Sequence, residues 1–245
     1  GSLVAGDTNA ADDVFAYDRG TGRTVRVSVG EDGAQANGPS QRPSLSADGR
    51  FVAFVSTATN LVADDTNGVA DVFVHDRDAD GNGVFDEAGG RATRRVSVAT
   101  TGEQANGPSA TPDLGADGRW VAFVSAATNL VAGDTNAVDD VFLHHWPSGL
   151  TVRVSVATSG GQSNGASVAP SVSSGGRRVV FASDATNLVA DDGNERRDVF
   201  LHDRENGQTL RVSTAAGTNG VGNANGHSDR PSIDDAGAIV AFQTL

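Results

Sequence analysis

The 245-residue chain has no cysteine, no methionine and no lysine, and it carries only 2 tryptophans and 1 tyrosine. Without cysteine, neither disulfides nor thiolate metal sites are available. All 18 basic residues are arginine, which fits a compositional bias in the source genome. Positive charge is in deficit: the formal net charge is −13. That argues against a nucleic-acid footprint, which needs a basic stripe, and against binding to an anionic membrane surface. No apolar run is long enough to span a bilayer, and no stretch has the period of an amphipathic helix. No signal peptide is visible. The missing initiator methionine marks a processed or excised piece, and Gly1-Ser2 reads as a remnant of expression. Catalytic signatures are also missing: there is no G-x-S-x-G elbow, no His-Glu-x-x-His helix and no glycine-rich phosphate loop after a strand.

What the chain does contain is one motif, copied. FVAFVS at Phe51 recurs as WVAFVS at Trp120, RVVFAS at Arg178 and IVAFQT at Ile239. DVFVHD at Asp71 recurs at Asp13, Asp140 and Asp198 as DVFAYD, DVFLHH and DVFLHD. VRVSV at Val25 recurs near Arg94, at Val152 and at Leu210, and NGPS at Asn37 recurs at Asn106, Asn164 and Asn225. The DVF spacings are 58, 69 and 58 residues, and a period of that size decides the architecture before any local assignment.

One unit reads as four antiparallel strands, A to D. Strand A is Pro43 to Ser46, and strand B, Phe51 to Ser56, is apolar on both faces. Strand C is Val72 to His75, and strand D contains the alternating Val96 and Val98. Asp48-Gly49 between A and B is a hairpin signal. Sheets that are apolar on both faces must stack on other sheets, and a radial stack leaves only short protected edges. In chain order there is a half unit with strands C and D, three whole units, and a half unit with strands A and B (Pro231 to Thr244). The expected fold is all-β: one β-propeller domain over 1–245, with four four-stranded antiparallel blades. The N-terminal strands C and D would pair with the C-terminal strands A and B, placing 239–244 beside 13–18. A monomer is the preferred form and a dimer sharing half-blades the competitor.

S-x-S-A-D-G-R-x-V-A-F followed by D-V-F-V-H-D-R resembles the TolB-type, WD-like propeller repeats of bacterial envelope and secreted proteins, over essentially the whole chain. The resemblance implies a secreted or periplasmic setting. It implies a non-catalytic interaction role, with carbohydrate-binding and sialidase-like hydrolytic propellers as alternatives. Scarce, unrepeated aromatics disfavour the lectin reading, and Arg42 and Arg230 at the strand A entries are the one hint of the hydrolytic one. A protein or glycan partner is expected on the face that carries the longer B–C and D–A loops.

Two acidic patterns are candidates for cation binding. The C–D connection of the second unit spans 17 residues from Asp76 to Thr93, against 6 from Asp18 to Thr24. It places Asp78, Asp80, Asn82, Val84 and Asp86 at the spacing of an oxygen-rich Ca²⁺ loop, with Gly83 at the sharp turn. The pattern is similar to the calcium hairpins of integrin α-chain propellers. An EF-hand register through Asp76, Asp78, Asp80, Asn82 and Glu87 is the alternative. The weaker pattern Asp7/Asn9/Asp13 repeats as 65/67/71, 134/136/140 and 192/194/198, where Asp and Asn more readily hold turns than a metal. His75, His144 and His202 share one repeat position and are expected to be packed strand residues, too far apart to form a site.

Overall fold

The computed structural model describes residues 3–215 and 226–244; Gly1-Ser2 and the Asn225 copy of the NGPS motif lie outside them. Two short strands, β1 (Phe15–Asp18) and β2 (Arg23–Arg26), form an N-terminal half-blade. Blade 1 follows as β3 (Ser40–Leu45), β4 (Phe51–Ser56), β5 (Asp71–Asp76) and β6 (Ala92–Arg95). Blade 2 is β7 (Ser109–Leu114), β8 (Trp120–Ser125), β9 (Asp140–His145) and β10 (Leu150–Arg153). Blade 3 is β11 (Ser167–Val172), β12 (Arg178–Ser183), β13 (Asp198–Asp203) and β14 (Gln208–Arg211). A C-terminal half-blade consists of β15 (Ser228–Ile233) and β16 (Val240–Thr244). Every sheet pairs antiparallel in sequence order.

The sheets stack through their faces. The second strand of each complete blade supplies a buried phenylalanine that stacks on one from the third strand: Phe54 on Phe73, Phe123 on Phe142, Phe181 on Phe200, at 5.9–6.0 Å and 27°. Buried aromatic pairs of this kind add about 0.5–1.5 kcal/mol beyond their area. Leu61 and Leu130, from the loops after β4 and β8, plug the seams against the preceding sheet.

Two expectations need correction. The fourth blade is not assembled in one piece: among the described residues β1 bonds only β2, and β16 only β15. Strand D ends earlier than the RVSV motif suggested. Pairing stops at Arg95, and Val98 makes an isolated bridge to Gln104 instead. The serine of the motif explains the break, because Ser97 leaves the ladder to bond Asp71 from within the sheet.

Strand A carries a bulge in every copy. Register slips between Gln41 and Ser44, and again at the matching positions of β7, β11 and β15. The extra residue is Arg42, Thr111, Ala169 or Arg230, each left-handed with φ of 47–54° and each followed by proline. Proline has no N–H to lose to a ladder, so the slip falls where a missing donor costs least.

Candidate functional site

The recurring acidic pattern closes on a cation from its own sheet. In blade 1, Arg95 at the end of β6 lies 3.1 Å from Asp65 and 3.7 Å from Asp71. Ser97 donates to Asp71 Oδ1 and Asn67 Nδ2 to Asp71 Oδ2. Blade 2 repeats this with Arg153, 3.1 Å from Asp134 and 3.5 Å from Asp140. Blade 3 repeats it with Arg211, 3.1 Å from Asp192 and 3.8 Å from Asp198. The N-terminal half-blade holds the looser version, Arg26 at 3.9 Å from Asp7 and 3.5 Å from Asp13. Burial pushes the carboxyls of Asp65, Asp134 and Asp192 up, and the guanidinium opposes it. So the positive charge between each pair of carboxylates is arginine. The repeated R-V-S was the signal for this partner, read in the sequence only as a strand.

The histidines are packed as expected. His75, His144 and His202 each share a hydrogen bond of 2.8–2.9 Å with a threonine of the neighbouring strand: Thr93, Thr151 and Thr209. Those hydroxyls donate onward to Val29, Val98 and Val156 carbonyls of the preceding sheet. Burial lowers His75 and His144 to about 4, so both rings stay neutral.

In the 78–87 insertion, the Asp78 carboxylate accepts from Gly83 N–H at 3.2 and 3.3 Å. Asn82 Oδ1 accepts from Val84 N–H at 2.7 Å, while its Nδ2 donates to Asp80 at 2.9 Å and also to Glu87. The loop is thus wound about its own side chains. Asp86 is turned away from the other four: Arg77 holds both of its oxygens, at 2.9 and 2.6 Å. Arg77 also donates to Gly49 O at 2.8 Å and stacks 4.9 Å from the Phe85 ring. Among the described residues no three acidic or imidazole side chains stand close enough together to hold an ion. The set Asp78, Asp80, Asn82, Val84 and Asp86 therefore fits Ca²⁺ only in part, since Asp86 already has a cation.

At the opposite end of the sheets, the loops after strands B and D form a polar lattice. Asn106 N–H donates to Asn129 Oδ1 and Asn106 Nδ2 to Thr128 Oγ1, both at 3.0 Å. Thr128 N–H returns to Asn106 Oδ1 at 2.9 Å, and Asn129 Nδ2 reaches Gln104 O at 2.9 Å. The same bonds join Asn37 to Thr59 and Asn60, and Asn164 to Thr186 and Asn187. Gln104 and Gln162 fasten each lattice to the strand B loop of their own blade through Thr66 and Thr135. These groups are largely exposed, so the surface is both wet and held in place. An open hollow of about 530 Å³ lies on it between Thr100 and Gly133.

Both tryptophans are spent on packing. Trp146 lies 5.4 Å from Phe51 and donates to Gly118 O at 2.6 Å. Trp120 lies between His145 at 4.4 Å and the Arg204 guanidinium at 4.2 Å. Arg42 and Arg230 are exposed on the strand A bulges.

No protein-family model and no curated protein matches the chain. Solved structures do. A prolyl endopeptidase structure aligns over 97% of this chain and 29% of its own, with 16% identity and a TM-score of 0.50. TolB from Acinetobacter baumannii aligns over 94% and 42%, with 15% identity and a TM-score of 0.49. An oligogalacturonate lyase in complex with manganese aligns over 94% and 52%, with 11% identity and a TM-score of 0.49. The chain thus spans less than two thirds of each. Identity this low speaks for the fold alone, and the fold is a β-propeller.

Proposed function

We propose that this β-propeller is a non-catalytic binding module of a secreted or cell-envelope bacterial protein. Its partner docks on the face built by the loops that follow strands B and D. The observation that carries the reading is the asparagine lattice. It fixes exposed amide and hydroxyl groups in three successive copies, which lowers the ordering cost of binding. A protein partner is favoured over a glycan because Trp120 is buried and Trp146 is half-buried, both packed against other side chains rather than presented as a platform. Among the described residues no helix is long and apolar enough to cross a membrane.

The test is to screen the chain against bacterial envelope extracts and a glycan array, then to map the bound surface by hydrogen exchange. Protection over 99–104 and 126–133 is expected. Protection confined to the turns at Asp48, Asp117 and Gly175, at the other end, would overturn the assignment.

The 78–86 hairpin enters the proposal as a structural Ca²⁺ loop. An ion there has to draw Asp86 away from Arg77. At the affinity of an extracellular module, saturating Ca²⁺ should add on the order of 1–3 kcal/mol to stability. Asp80→Ala with Asp86→Ala should abolish that gain. An unchanged thermal midpoint for the unmutated chain in Ca²⁺ rules the loop out as a calcium site.

A further inference from the structure

Each of the three complete blades buries one more negative charge than it neutralises. Every blade sets two carboxylates around one guanidinium: Asp65 and Asp71 around Arg95, Asp134 and Asp140 around Arg153, Asp192 and Asp198 around Arg211. The six aspartate side chains are at most 3% exposed. Among the described residues no other charged group faces them. Asp134 is acted on by Asp140 and Arg153, Asp192 by Asp198 and Arg211, and Asp71 by Asp65 and Arg95. The other side chains on the strand carboxylates are neutral. They are Asn67 and Ser97 in blade 1, Asn136, Ser155 and Ser163 in blade 2, and Asn194 and Ser213 in blade 3.

The arginine is also poorly placed to serve both acids. A single nitrogen, Nη1, approaches each pair: 3.1 and 3.5 Å in blade 2, 3.1 and 3.7 Å in blade 1, 3.1 and 3.8 Å in blade 3. The Nε of all three arginines is buried with no hydrogen-bond partner among the described residues, so no guanidinium forks onto a carboxylate. On the acidic side, Asp65 Oδ1 and Asp192 Oδ2 are buried without a hydrogen bond. The Asp192 carboxyl lies within hydrogen-bonding reach of Asp198, and two carboxyl groups form such a bond only around a proton. An uncompensated charge out of water is costly, and two carboxylates at one site resist joint ionisation.

We propose that each of these clusters binds one proton, shared between its two carboxyl groups at neutral pH, and that this proton latches the loop after strand B to the head of strand C. In the latched form the loop aspartate carries the O–H and donates it to the strand aspartate: Asp65 to Asp71, Asp134 to Asp140, Asp192 to Asp198. Raising the pH breaks the O–H bond; the electron pair stays on the oxygen and the proton passes to water. Two like charges then face each other across one arginine, and the loop is pushed off the strand. The same loops hold the amide lattice, through Thr66 to Gln104 and Thr135 to Gln162, so that face loosens as the latch opens. The latch does not depend on that face binding a partner. The copy at Asp7, Asp13 and Arg26 is left out, because the Asp7 side chain is 23% exposed.

Infrared spectroscopy of the folded chain reads the proton directly. Ordinary aspartates are ionised at about pH 7, so the carbonyl band of a protonated carboxyl comes from these clusters. It should vanish at alkaline pH. Asp65→Asn, Asp134→Asn and Asp192→Asn should each remove a share of it and keep the fold, since the asparagine N–H donates where the acid O–H did. A spectrum at about pH 7 without that band overturns the proposal, and so does a band that none of the three variants reduces. Stability gives a second readout. A carboxyl held above its unfolded range contributes stability that is complete in acid and is lost as pH rises through its folded value. The thermal midpoint should therefore fall between about pH 7.5 and about pH 9.5, where histidines are neutral in both states, and the triple asparagine variant should fall less. An equal fall in the triple variant overturns the latch. So does a midpoint that shifts when KCl replaces NaCl at one pH and ionic strength, because a metal ion then sits where the proton was assigned.

Discussion

Arg153 shows what a single side chain does here. Among the described residues its guanidinium is the one positive group set beside the two buried carboxylates Asp134 and Asp140. Arg153→Ala would leave both without a counter-charge, and breaking a buried pair in this way costs about 3 kcal/mol or more. Denaturant melts should show that loss, with Arg95→Ala and Arg211→Ala close behind. Arg26→Ala should cost less, because its pair with Asp7 is longer and Asp7 is more exposed. His144 gives a pH-dependent counterpart. Burial holds its ring at about 4, while the unfolded chain takes up the proton near 6.5. Folded stability therefore falls as pH drops from 6.5 to 4, by about 1.4 kcal/mol per pH unit for that ring. The raised Asp65, Asp134 and Asp192 act with the opposite sign above the ordinary carboxylate range. The contribution of His144 is thus read by difference from His144→Gln, and directly by NMR as a ring still neutral at pH 5.5.

At the scale of the strand and its turn, the glycines following strand A are not equivalent. Gly118 has φ +70° and lies under the Phe51 ring, whereas Gly49 has φ +74° and nothing among the described residues lies within 4 Å of its Cβ position. Gly118→Ala should lower the thermal midpoint well beyond the roughly 1 kcal/mol of left-handed strain, since Phe51 must also move. Gly49→Ala should lose only the strain. The bulge on strand A inverts an ordinary rule. Ala169 is left-handed at φ 50°, so Ala169→Gly should be neutral or stabilising by about 1 kcal/mol, where alanine to glycine in a strand normally weakens it. Calorimetry on these variants checks both expectations.

For the whole molecule, excess charge opposes compactness. The chain carries −13, and like charges spread over one domain repel each other. Salt screens that repulsion. The thermal midpoint should therefore rise as NaCl goes from low ionic strength to about 0.1 M, measured by calorimetry. A falling midpoint would mean that the arginine–aspartate pairs outweigh the excess negative charge.

The repeat made the all-β architecture legible before any coordinates, because four copies of a strand pattern with glycine at the turns leave few alternatives. The packed histidines followed from the same periodicity. The partner of each acidic loop did not. Asp71 and Arg95 are distant in sequence, and only the folding of β5 against β6 brings them together, so a set of oxygens that reads as a metal loop proves to enclose a guanidinium. Asp86 was hidden for the same reason, since its choice of Arg77 over Asp78 and Asp80 depends on how the insertion bends. Local pattern determined the strands, their order and the residues that face a neighbour, because side-chain alternation and turn chemistry act over a few residues. Closure is a tertiary property, because whether Phe242 reaches Phe15 depends on the angles summed over every seam between them, a quantity no single motif encodes.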